Sequence, residues 1–127
     1  MATPTDCKYS TSHEWHRLSG DVLTLGLTRY AVDALTDVTY ATVKPVGTVI
    51  AAGKSLGEVE SVKTTSDVYS AVAGTIVEVN QAVVSDPSKL NADPYSNWLV
   101  KLKVTDTSGM EKLLSAADYD KQFPSGH

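Results

Sequence analysis

At 127 residues and 13.6 kDa, with 42% apolar and 20% charged residues, the chain is sized for one domain that buries a core without staples. A net charge of −4, from 15 acids against 11 scattered bases, argues against nucleic acid, whose backbone calls for a clustered basic face. No apolar run approaches the roughly 18 residues of a membrane span, and the lone cysteine, Cys7, excludes an internal disulfide framework.

The opening Met1-Ala2-Thr3-Pro4-Thr5-Asp6 lacks the basic start and apolar stretch of a secretory signal, and the arginines of a transit peptide. A cytoplasmic protein of bacterial type is therefore expected; a mitochondrial matrix protein relieved of its transit peptide would read the same. Cys7 fits a reducing compartment and has no obvious base partner, so it reads as a bystander thiol. Lys8 to Arg17 mixes polar and aromatic residues and is predicted to run extended. Ser19-Gly20-Asp21 signals a turn into the strand Val22–Leu27, so the segments on either side should pair. Thr28 has the character of an N-cap, and Tyr30, Ala31, Ala34, Leu35 and Val38 recur at helical spacing, which predicts a helix of about two turns. Val38 to Val43 reads as strand.

From Pro45 to Val104 the chain is β-rich. Pro45-Val46-Gly47, Ala52-Gly53-Lys54 and Ala73-Gly74 punctuate it, and Gly47-Thr48-Val49-Ile50 faintly repeats in Gly74-Thr75-Ile76-Val77. Alternation places Val77 and Val79 on one face, with Glu78 and Asn80 opposite. Trp98, Val100, Leu102 and Val104 likewise share a face, opposite Lys101 and Lys103, as in a half-buried strand. Asp86-Pro87 before Ser88-Lys89-Leu90 suggests a capped helical turn with proline at its first position. Ser108-Gly109-Met110-Glu111 has capping-box spacing, and the helix after it should bury Leu113, Leu114, Ala117 and Tyr119. The last residues, Phe123 to His127, read as a fraying tail. The residues together predict a mainly β fold in one domain, 1–127 with its core at about 9–121. They give a compact antiparallel core with two or three short peripheral helices, one of them C-terminal.

Within that frame Lys63 stands out. It lies between two strand-like stretches in Gly57-Glu58-Val59-Glu60-Ser61-Val62-Lys63-Thr64-Thr65-Ser66-Asp67-Val68-Tyr69, which presents a single amine at a hairpin tip. Most lysines are solvated surface charges. Here Glu58, Glu60 and Asp67 surround the amine with acid, and flanking strands would hold the tip rigidly enough to aim a carried group.

Ordinary enzyme chemistry finds little support. His13 and His16 flank Glu14, yet in an extended segment residues 13 and 16 point to opposite faces, and no further ligand cluster completes a metal shell. No metal site is expected. The three histidines, at 13, 16 and 127, suit no catalytic triad, and Ala52-Gly53-Lys54-Ser55 lacks the upstream glycine of a phosphate loop. No catalytic residue is expected either.

Glu60-Ser61-Val62-Lys63, Ser66-Asp67-Val68-Tyr69-Ser70 and Gly74-Thr75-Ile76-Val77-Glu78-Val79-Asn80 together resemble the lipoyl-lysine segment of the glycine cleavage system H proteins. Ser12-His13-Glu14-Trp15 resembles that family's opening motif, and Gly26-Leu27-Thr28-Arg29-Tyr30-Ala31 its first strand-to-helix junction. Asn91-Ala92-Asp93-Pro94-Tyr95 with Trp98-Leu99-Val100-Lys101, and Leu113-Leu114-Ser115-Ala116-Ala117-Asp118-Tyr119, resemble its closing segment and last helix. The likeness runs from about Tyr9 to Lys121. Departures are Arg29 where an acid is common, Thr36 where glycine is expected after the first helix, and the less apolar Thr39-Tyr40-Ala41-Thr42. Threonine is penalised at positive φ, so Thr36 bears on a left-handed turn there.

The resemblance implies a β-sandwich or hybrid-barrel core of lipoyl type, and a noncatalytic carrier of the glycine cleavage system. It implies lipoic acid in amide linkage on Lys63, with Glu60, Ser61 and Val62 recognised by lipoate-attaching enzymes. The modification would take the formal charge from −4 to −5. The implied partners are a pyridoxal-phosphate glycine decarboxylase, a folate-dependent aminomethyltransferase and a flavin-containing dihydrolipoyl dehydrogenase, visited in turn by a monomer. Pyridoxal phosphate, folate, flavin and nicotinamide belong to those partners. A cleft sheltering the loaded arm would be served by Ser12, Glu14 and Asp67. A biotin carrier shares the tip lysine, but biotinyl lysines typically sit between methionines, and here the neighbours are Val62 and Thr64. A 2-oxoacid dehydrogenase lipoyl domain would be shorter and lack the first and last helices. An unmodified interaction protein, or a donor relaying lipoyl groups, would keep the same hairpin.

Overall fold

The computed structural model describes residues 3–123. Nine strands follow in chain order: β1 (Lys8–Tyr9), β2 (Glu14–Ser19), β3 (Val22–Leu27), β4 (Val38–Val43), β5 (Val49–Ile50), β6 (Ser55–Ser61), β7 (Thr65–Tyr69), β8 (Ala73–Val79) and β9 (Val100–Asp106). Four short helices join or end them: α1 (Arg29–Leu35), α2 (Gln81–Ser85), α3 (Ser88–Ala92) and α4 (Ala116–Gln122). Six strands form one sheet in the order β1-β2-β3-β9-β8-β5, and three form a second in the order β4-β6-β7; all the pairings are antiparallel.

The core lies between the sheets. Leu23, Leu25, Leu27, Ile76, Val100 and Leu102 from the larger sheet meet Ala41, Leu56, Val59 and Val68 from the smaller, with Val32, Val83 and Leu90 closing the ends. A second cluster covers the other face of β1 and β2, where Cys7, Tyr9 and Trp15 pack against Ala116 and Tyr119 of α4. The larger sheet therefore buries side chains on both faces at that end. Trp15 lies across Gly26, its β3 partner, and a Cβ at Gly26 would come 2.7 Å from the indole ring.

Several expected elements form as read. The turn at Gly20 (φ 63°) joins β2 to β3 with Ser19 opposite Val22. Thr28 caps α1, its side-chain oxygen accepting from the Ala31 N–H. The faintly repeated segments turn out to be neighbours, with Val49 opposite Thr75 and Ile50 opposite Gly74. Thr36 keeps the left-handed turn that glycine would favour, at φ 68°. The Asn91 side chain straps this turn, donating to the Thr36 carbonyl at 2.6 Å and accepting from the Val38 N–H at 2.9 Å. Arg29 tethers the same corner by pairing with Asp33 and donating to the Asn91 carbonyl.

Other expectations are corrected. The opening stretch is not one extended run, because it turns at Ser10–His13 and β1 pairs back on β2. A register shift between Ile76 and Glu78 inserts Val77 as an extra residue in β8, so Val77 faces solvent at 43% exposure and leaves the face it was expected to share with Val79. Pro87 occupies the N-cap of α3 rather than its first turn, and no side chain caps that helix. Ser108 opens only a 3-10 turn, Ser108–Lys112. Leu114 is bridged to Tyr9 as extended chain, and the real cap is Ser115, which accepts from the Asp118 N–H. The helix consequently buries Ala116 and Tyr119, and Ala117 is exposed. The tail expected at Phe123 to His127 lies, after Phe123, outside the described residues.

Candidate functional site

The β6–β7 hairpin places Lys63. Glu60 pairs with Thr65 and Glu58 with Asp67, and the Ser61 N–H donates to the Thr64 carbonyl at 2.8 Å to close the turn. The Ser61 hydroxyl then fills the loop, accepting from the backbone N–H of both Lys63 and Thr64 at 3.2 Å. A serine that satisfies two turn amides fixes a tight tip without glycine. Val62 at the apex is 89% exposed, and the Lys63 ammonium makes no salt bridge among the described residues. Glu58 and Asp67 face outward, while Val59 and Val68 anchor the opposite side of the hairpin in the core.

Glu14 is fully buried at the start of β2. Pairing opposite Leu27 sets its side chain on the core-facing side of the sheet, together with His16 and Leu18, whose partners are Leu25 and Leu23. One carboxylate oxygen accepts from the Ser10 hydroxyl at 2.5 Å and from the Ser12 hydroxyl, and the other accepts from the Tyr69 N–H at 3.2 Å. Burial pushes the Glu14 pKa up, and the three donors act against that by favouring the charged form. His16, also fully buried, accepts the Ala71 N–H on Nε2 at 3.2 Å, and burial lowers its pKa to about 4. His13 lies outside the strand at φ 74°, with Nδ1 2.8 Å from the Tyr119 hydroxyl and its ring against Tyr30 and Phe123.

Two cavities meet at Ser12. One, of about 330 Å³, holds Glu14 with Ser10, Tyr69 and Ala71 around it. The other, of about 230 Å³, has an apolar floor of Leu27, Ala31, Ala34 and Leu35 and a rim of Thr64, Thr65 and Ser66 beside the lysine tip. Ser12 lines both, so an apolar recess beside the lysine tip and a pocket around a buried carboxylate share one side chain.

The chain matches the family model for the glycine cleavage H-protein over residues 7–125. The chain belongs to the glycine cleavage H-protein family. A glycine cleavage system H protein from Cyanothece sp. is 44% identical over 120 residues, covering 94% of this chain and 93% of that one. The H protein 1 of Caldanaerobacter subterraneus is 46% identical over 121 residues, covering 95% and 97%. The crystal structure of an H protein from Mycobacterium marinum superposes with a TM-score of 0.87 at 39% identity, over 94% of this chain and 98% of that one.

Within this H-protein fold the sequence-derived site residues fall into two groups. Lys63, Glu60, Ser61 and Val62 sit together on the hairpin tip, and Ser12 and Glu14 are hydrogen-bonded to each other. Asp67 is not in that cluster. It lines neither cavity, accepts from the Ser55 hydroxyl at 3.3 Å, and reaches Glu14 only through Tyr69, whose hydroxyl lies 3.4 Å from it. Sequence reasoning missed Ser10, Tyr69 and His16. Ser10, Ser12 and Glu14 lie at every second position, a spacing that signals one shared face, but the turn between them hides it. Nothing local marks Tyr69 or His16, whose partners are 55 residues away. Among the described residues, no three His, Cys, Asp or Glu side chains gather as a metal site would require.

Proposed function

We propose that Lys63 carries lipoic acid in amide linkage and that the chain, as one carrier domain spanning 1–127 with its core at about 9–121, serves the glycine cleavage system as a noncatalytic monomeric shuttle. The observation that carries this reading is the placement of Lys63, in a chain of the H-protein family, alone at the apex of a serine-locked turn whose strands are anchored in the core. The residues present fit the group. A lipoyl-lysine arm reaches roughly 14 Å, estimated from about ten bonds in zigzag, and the groove beginning at Thr64 offers it apolar contact. Attached to Lys63, a lipoyl group would supply a dithiolane competent for thiol–disulfide chemistry and for carrying an aminomethyl unit among the decarboxylase, the aminomethyltransferase and the dihydrolipoyl dehydrogenase.

This chain's residues bind, orient and shelter. Ser61 holds the turn in one conformation, so Glu60, Ser61 and Val62 present a fixed surface to lipoate-attaching enzymes. Leu27, Ala31 and Leu35 receive the hydrocarbon part of the arm and exclude water from it. Ser12 and Glu14 receive a cationic amine at its end, the carboxylate providing the counter-charge and the hydroxyl turning toward whichever partner is present. Asp67 acts at one remove, outside both cavities, by accepting from the Tyr69 hydroxyl. Carrying the arm on a folded domain raises its effective concentration at each partner's active site.

Intact-mass measurement of the native protein should show one lipoyl group, absent from Lys63→Ala. A shift of another size, or one that survives the substitution, refutes the attachment. Glu14→Ala should accelerate the loss of amine from the loaded protein, and an unchanged rate removes Glu14 from the shelter.

A further inference from the structure

The four residues leaving the lysine hairpin, Tyr69 to Val72, account for their N–H groups in an unusual way. Ser70 donates to the Lys54 carbonyl at 3.3 Å, and Val72 to the Ser70 hydroxyl at 3.2 Å. The other two go to side chains of β2: Tyr69 to Glu14, and Ala71 to Nε2 of His16, each at 3.2 Å. Acceptors two residues apart on one face of a strand meet donors two residues apart on the segment crossing it, so two side chains replace the backbone partner a third strand would have supplied. The segment is also closed in from its other side. The Ala71 carbonyl approaches Gly109 so closely that a Cβ there would lie 2.0 Å from the oxygen.

We propose that His16 is a positioning residue that fixes the root of the Lys63 hairpin against the Glu14 pocket, and that it does so only as the neutral Nδ1–H tautomer. The chemistry requires that form. A backbone N–H can only donate, so Nε2 must hold a lone pair, and the ring proton must sit on Nδ1. Nδ1 is buried and finds no hydrogen-bond partner among the described residues. One ring nitrogen is thus left poorly served while the other holds Ala71, which is the pattern of a group placed for its acceptor. Losing that acceptor frees Ala71, and Tyr69, two residues back, loses its register on Glu14. The carboxylate then loses its one backbone donor, and the pocket that receives the arm's end opens. This inference rests on the reading of Glu14 as part of the arm's shelter.

The test uses the full lipoylated chain with two substitutions. His16→Gln places an amide oxygen near the position of Nε2 and keeps an acceptor; His16→Phe keeps a planar ring and removes it. In the wild type, the imidazole nitrogen resonances should report Nε2 unprotonated and Nδ1 protonated. In His16→Phe, the Ala71 and Tyr69 amides should exchange with solvent at least about tenfold faster, and amine loss from the loaded protein should rise several-fold. His16→Gln should restore both toward wild type. A proton on Nε2, unchanged amide protection in His16→Phe, or a glutamine variant as impaired as the phenylalanine one would each overturn the proposal. If His16→Phe does not fold, the tautomer and the glutamine exchange rates still decide it. An unchanged amine-loss rate in Glu14→Ala would instead defeat the shelter reading, while the tautomer and the Ala71 exchange would still judge the anchor.

Discussion

Glu14 and His16, two positions apart on one strand, make opposite demands on pH. Burial holds His16 at about 4, against an ordinary 6.5, so the unfolded chain takes up its proton first. Its contribution to stability is complete above about 6.5, falls as pH drops toward 4, and is worth at most roughly 3 kcal/mol over that window. The Glu14 pKa is raised instead, from an ordinary 4.5. Its folded environment therefore favours stability at pH below 4.5, and that contribution is lost as pH rises through the folded pKa. Above 4.5 the two slopes oppose each other for as long as the folded Glu14 carboxyl keeps its proton, and there the wild-type profile should be shallower than His16 alone would make it. Glu14→Gln should unmask the histidine, giving stability that rises steadily with pH from 4 to 6.5 in urea titrations. A profile as flat as the wild type would show that Glu14 is not what compensates His16. Serine hydroxyls enable this arrangement, because Ser10 and Ser12 can face a carboxylate as donors without adding charge.

At the level of elements, turns and caps carry the local information. Thr36 holds φ 68° with a β-branched side chain, a strain usually worth about 1–3 kcal/mol. Thr36→Gly should therefore raise the midpoint of thermal unfolding by a few degrees, and a lower midpoint would mean that the Asn91 strap depends on the threonine. Ser115→Ala removes the cap of α4 and should cost about 1 kcal/mol, whereas Ser108→Ala should cost much less. That contrast bears on what could be read from the chain. Ser108-Gly109-Met110-Glu111 carries the spacing of a helix start, yet it forms a single 3-10 turn in which Gly109 lies so close to the Ala71 carbonyl that a Cβ would not fit. Thr28, Gly20 and the Lys63 turn were legible because their signals are local. The extra residue at Val77 was not, since a bulge is set by the partner strand rather than by the alternation of its own. Glu14 and His16 were illegible as buried groups for a related reason. Alternation along β2 would send Trp15 inward and those two outward, and only the second cluster, packed by α4, allows both faces to be covered.

Across the whole molecule, stability and carrier chemistry are kept apart. The core between the sheets is assembled from residues such as Leu102, fully buried at the centre of β9, and Leu102→Ala should cost about 2–5 kcal/mol in denaturant unfolding. Lys63 contributes no ion pair among the described residues and stands beyond that core, so Lys63→Ala should leave the unfolding midpoint unchanged while removing the proposed site of lipoylation. The partition has an optical corollary. Trp15 lies between Glu14 and His16 in sequence but on the opposite side of the sheet, wholly out of solvent, its indole N–H donating to the Pro94 carbonyl and the Arg17 guanidinium 5.0 Å from its ring. Any rotation of β2 that follows a change at the arm's end must carry this chromophore with it. The protein thus contains its own buried emission gauge, and a loaded arm seated at Glu14 as proposed should change the colour and intensity of Trp15 emission, with Trp98 as the internal reference, without an attached label.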